Sequence, residues 1–143
     1  MSLPFPDLSS ADAALLALRP TVDAVVPTEA ASSVGDFLHQ TLRPVLKLQN
    51  QRLLTAAADF LADHHVPFAG AGAAERQRVV AELLTRNTKL RYTIVGLVTG
   101  LFTGAEMVFY RAHRPELNRR LLELAVRRVQ DQTAEIATLL PPG

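Results

Sequence analysis

Apolar residues recur at three- and four-residue steps over most of this chain, and no stretch alternates with the period of two that strands require. The pattern predicts an all-α fold. Between Val34 and about His64, the residues Leu38, Leu42, Val45, Leu53, Ala56 and Phe60 form one stripe. Ser33 stands before it as N-cap, with Asp36 at the capping-box position. Pro44 lies inside and cannot donate to the Gln40 carbonyl, so a kink or break is expected near Leu42–Pro44. Gln49, Asn50 and Gln51 put three amides in mid-helix, where one or two are expected to be buried and hydrogen-bonded.

A loop follows from His65 to Gly72, then a helix over about Ala73–Arg86 with Val79, Val80, Leu83 and Leu84 inward. Asn87 suits either the end of that helix or the cap of the next. The segment Thr88–Thr99 is hydrophobic nearly all round and reads as the central element. Gly100 is expected to end it in the left-handed conformation, leaving Gly96 as a point of close packing. Thr103-Gly104-Ala105-Glu106 matches a capping box, with Phe102 and Met107 placed as a hydrophobic staple, so a helix is expected from Gly104 to about His113. Pro115 opens the last helix, which runs to about Thr138 with Leu121, Leu122, Ala125, Val129 and Ile136 inward. Its outer side offers the i,i+4 pairs Glu116–Arg120, Arg119–Glu123, Glu123–Arg127 and Arg127–Asp131.

The expected architecture is one irregular bundle of five or six helices over residues 33–140, preceded by a Pro-containing N-terminal arm over residues 1–32. Pro4, Pro6, Pro20 and Pro27 leave the arm room for one short helix, about Ala11–Arg19, started by Ser9 with Asp12 and ended by Pro20. The arm is acidic apart from Arg19, and its Leu15, Leu16, Leu18, Val25 and Val26 are expected to pack on the protein's own core or on a neighbour.

Composition adds exclusions. The 143 residues fit one domain, 48% hydrophobic and 20% charged, which excludes disorder along the whole length. Fifteen basic against fourteen acidic residues leave a net charge of +1, so no general nucleic-acid affinity is expected. There is no cysteine, hence no disulfide, thiol nucleophile or thiolate metal site. The longest uncharged run, Tyr92 to Ala105, is fourteen residues, short of the roughly 20 a membrane span needs. The first residues do not form a secretory signal, and a cytoplasmic location is the expectation.

The reactive side chains are scattered. Asp36 and His39 make one Asp-x-x-His, half of what a di-iron bundle requires, with no second copy. His64, His65 and His113 fall near helix C-termini, where a capping role is expected. Asp59 and Asp63 share a helix face as a candidate carboxylate pair, with solvation the more common role for that spacing. Serines occur only in the arm or at caps, and there is no nucleophile elbow or phosphate loop. Six arginines crowd residues 111–128, most beside acids. Arg111 and Arg114 lack such neighbours and are candidates for contact with an anion or an acidic partner.

Three stretches, Thr41 to Asn50, Lys89 to Thr103 and Leu117 to Gln132, resemble a family of small uncharacterised all-helical bacterial proteins, some of whose members carry the label glyoxalase. The resemblance implies a helical fold and, through the label, a metal-dependent lyase. Glyoxalase I enzymes are βαβββ repeats whose His and Glu ligands project from strands; nothing here corresponds to them, so no catalytic, metal or cofactor residue is carried over. The expected function is a non-enzymatic protein-interaction module that forms a homodimer, with Gly96 and Gly100 as interface candidates. The alternative is a small-molecule-binding protein or metal-dependent lyase with a polar pocket gathering Asp36, His39 and Gln49 or Asn50 near Arg91 or Arg111.

Overall fold

A computed structural model describes residues 8–20 and 33–141. Much of the arm, Val25, Val26 and Pro27 included, lies outside the described residues. The regular elements among the described residues are all helices, with no strand, in the order α1 (Leu8–Leu18), α2 (Val34–Phe37), a π turn (Leu38–Leu42), α3 (Arg43–Leu48), α4 (Asn50–Asp63), α5 (Ala73–Arg86), α6 (Thr88–Thr99), α7 (Gly104–Ala112), α8 (Arg114–Gln130) and α9 (Thr133–Leu139). The all-α expectation holds, but the chain is divided more finely than five or six helices. None of the described helices is long and apolar enough to cross a membrane.

Pro44 causes the first extra division. With no N–H to offer the Gln40 carbonyl, the chain widens into the π turn, and the Arg43 N–H reaches back to the Leu38 carbonyl. The second division is at Gln49 (φ −91°, ψ 10°), between α3 and α4. Its side chain is buried and donates to the Leu97 carbonyl of α6 at 2.8 Å. That carbonyl is near the end of α6, where Leu101 N–H turns to Val98 instead, so Gln49 satisfies a helix-end acceptor from another element. The third division separates α8 from α9 at Gln132. Asn50 and Gln132 exchange two amide hydrogen bonds at 2.8 and 2.7 Å, and the Gln132 amide also donates to the Arg128 carbonyl. Arg128 turns inward to Asn50 at 3.1 Å, and burial pushes its guanidinium below the ordinary arginine range.

The core runs along α3 and α4 through Leu42, Val45, Leu46, Leu53, Leu54, Ala57, Ala58 and Leu61. The expected stripe was offset: Leu38, Ala56 and Phe60 lie at its edge, partly buried. On α8, Leu117, Leu121, Ala125 and Val129 repeat at four-residue steps and are all buried. That face lies on α5 and α6, while α4 packs on α6 and α9. Helix α6 packs mainly on α4, α5 and α8 yet is not enclosed, since Tyr92 is 71% exposed. Only Leu90, Ile94 and Val98 make its buried face.

Helix ends follow local chemistry. Ser33, Asn87 and Thr103 each accept the expected N-cap bond, from Asp36, Leu90 and Glu106 respectively. Gly100 is right-handed (φ −62°), which corrects the left-handed expectation. Bonds from Leu101 to Val98 and Phe102 to Thr99 tighten the turn in the same hand. Glycine serves there by closeness, as a Cβ would stand 2.9 Å from the Gly96 carbonyl oxygen. The left-handed residue is His65 (φ 53°), ending α4 with bonds from His65 to Ala62 and Val66 to Leu61.

Candidate functional site

The most constrained polar cluster joins α1 to the N-terminus of α7. It starts from the Thr103–Glu106 capping box, in which Thr103 N–H donates to Glu106 Oε1 at 2.8 Å and Glu106 N–H donates to Thr103 Oγ1 at 3.3 Å. Glu106 does more than cap. Its two carboxylate oxygens accept both terminal nitrogens of Arg19, each at 2.5 Å, a bidentate pair from opposite ends of the chain. Thr41, buried in the π turn, donates its hydroxyl to Oε2 at 2.9 Å. Arg19 also donates to the Leu101 carbonyl at 2.9 Å, while its buried Nε has no partner. Asp12, in α1 seven residues before Arg19, accepts the Gly104 N–H at 3.1 Å. Helix α1 begins at Leu8, ahead of the expected start, and Asp12 caps α7; the Ser9 side chain of the expected box lies outside what the structure describes.

Side chains at this latch are 7% (Arg19) and 16% (Glu106) exposed. Burial alone pushes the Glu106 carboxyl upward, but the Arg19 hydrogen bonds, the Thr103 N–H, the Arg19 charge and the Thr41 hydroxyl outweigh it, so it ionises below the ordinary glutamate range. A carboxylate this saturated is a poor base. Its chemistry is positional: it fixes α1 on the bundle.

The fixed helix presents an apolar outer face. Leu16 and Leu18 are 52% and 59% exposed, and Ala13, Ala14 and Ala17 are exposed beside them.

The residues singled out in the sequence do not meet in one place. His39 is exposed, and Ser33 accepts the Asp36 N–H beside it. His64 donates from Nδ1 to the Phe60 carbonyl at 2.9 Å, and His113 does the same to Phe109 at 3.0 Å; each ring stacks on that phenylalanine. These are C-terminal caps built twice from Phe-x-x-x-His. Asp59 and Asp63 face solvent. Gln49 and Asn50 are engaged with Leu97 and Gln132. Among the described residues no three His, Asp or Glu side chains gather as a metal site. Arg111 is exposed on the last turn of α7, and Arg114 lies over the Tyr110 ring at 5.6 Å. Of the four expected surface pairs on α8, Arg119–Glu123 closes, at 3.1 Å.

Gly96 is exposed and a Cβ there meets nothing within 4 Å, so it is not a packing point within this chain. Gly96→Ala is accordingly expected to raise stability by about 0.5–1 kcal/mol, through a stiffer unfolded chain and better helix propensity. Thermal unfolding checks the sign; a loss of stability would mean the position is covered by something outside the chain.

Sequence reasoning missed the Arg19–Glu106 pair, whose members lie 87 residues apart. The available signal was that Arg19 is the arm's single basic residue in an otherwise acidic stretch. No protein family, curated protein or solved structure matches this chain.

Proposed function

We propose that this protein is a non-enzymatic helical interaction module that associates with itself through the outer face of α1. One observation carries the reading: α1 is clamped by a buried bidentate ion pair while Leu16 and Leu18 stand in solvent. Ordering a helix costs conformational entropy, and polar clamps return little net stability. A helix held so firmly with its larger apolar residues outward is suited to meet a second surface. A twofold pair of α1 helices would cover both sets of leucines at once.

Light scattering coupled to size exclusion is expected to give twice the chain mass at high concentration. Leu16→Glu with Leu18→Glu is expected to return the protein to a monomer near 15.6 kDa with unchanged helicity. Wild-type protein that stays monomeric at high concentration would refute the reading.

A further inference from the structure

Two open clefts of similar size border α5, and their rims differ in charge. One, about 550 Å³, lies between α5 and the end of α4. Its rim carries Arg78 and Arg86 with Glu75 and Glu82; Arg78 bonds to both acids, at 2.5 and 3.2 Å, and Arg86 makes no ion pair among the described residues. Two bases against two acids leave that rim without net charge. The other, about 580 Å³, is bounded by α5, the first turn of α6 and α8. The half-buried Leu122 and Val126 make its accessible apolar floor, above the buried Leu84. Around it stand Arg91, Arg119 and Arg127 against one carboxylate, Glu123, which Arg119 already holds. Arg91 and Arg127 are exposed and have no ion-pair partner among the described residues.

We propose that this second cleft docks an acidic segment of a partner protein. The segment is an amphipathic helix that lays aliphatic side chains on Leu122 and Val126 and sets carboxylates against Arg91 and Arg127. The uncompensated guanidiniums select for acid. The open mouth, which would leave a small molecule largely in water, suits a peptide. A single-stranded nucleic acid would look for stacking aromatics, and the cleft lining has none. The surface is distinct from the outer face of α1, so the self-association experiment does not bear on it.

The probe is a fluorescein-labelled helical peptide of about 18 residues with glutamates on one face and leucines at i,i+4 spacing on the other, followed by anisotropy. Saturable binding that weakens with salt is expected. Arg91→Glu with Arg127→Glu should weaken it by about tenfold or more, while Arg86→Glu, on the self-neutralised cleft, should leave it within about twofold. Dichroism identifies which variants remain folded, and Arg127→Gln alone provides a milder reversal of the same sign. Four results would overturn the proposal: no saturable binding, equal binding by a peptide with its leucines replaced by glutamine, equal loss in Arg86→Glu, or stoichiometric displacement by a short DNA oligonucleotide.

Discussion

Replacing Glu106 with alanine is expected to lower the unfolding free energy by about 3 kcal/mol. Removing one partner of a buried pair leaves the other charge desolvated, which costs about 3–5 kcal/mol when the orphan stays buried. Arg19 has an escape, because α1 can peel away and return the guanidinium to water. The loss then stops at the docking free energy of α1 plus about 1 kcal/mol for the broken cap. Urea unfolding followed at 222 nm measures the total. The double variant Arg19→Met with Glu106→Leu should be more stable than either single variant, since no lone charge remains. A Glu106→Ala protein within 0.5 kcal/mol of wild type, an amount of order the scatter for surface changes, would show that the latch is energetically idle.

The same carboxylate sets an acid limit. Its folded pKa is depressed, so its contribution is complete above the ordinary glutamate value of about 4.3 and is lost as pH falls through the lower folded value. Wild-type protein should lose stability in that window, and Glu106→Gln should lose measurably less.

Phe37→Ala is the second large effect, expected at about 3–5 kcal/mol. Phe37 is 1% exposed at the start of the π turn. Its ring stacks on Phe109 at 5.0 Å and meets the Phe102 edge at 5.5 Å, and Phe102 in turn contacts Tyr110 edge-on. Truncation would empty the joint between the π turn and α7. Phe37→Leu keeps most of the volume and should cost well under half as much. Chemical denaturation of the two variants distinguishes a packed joint from a tolerant one; equal, small losses would mean the aromatic cluster relaxes around the gap.

Local signals were legible. The Thr103–Glu106 box, the Ser33 cap and the range Ala73–Arg86 were readable because each depends on residues within one or two turns. Pro44 announced a disturbance, since a missing N–H has to be accommodated wherever the chain runs. The breaks at Gln49 and Gln132 were not legible, because each amide finds its partner on a helix distant in sequence. Gly100 misled for a related reason: glycine near a helix end usually supplies a left-handed turn, whereas here it makes room for a carbonyl and His65 takes the left-handed role. The latch was half visible. Glu106 was recognised as a cap, but nothing local tells that both its oxygens also accept from Arg19, and Oε2 from Thr41 as well.

The lodging of α9 on α4 bears on how the protein is born. Ile136 is fully buried, and Gln132 is tied to Asn50 at the head of α4. While the ribosome is still adding those residues, at about 5–20 per second, the α4 surface that they will cover has been synthesised but stands open. Until the segment 133–139 has been made and has folded back, the core lacks Ile136 and that part of α4 lacks its cover.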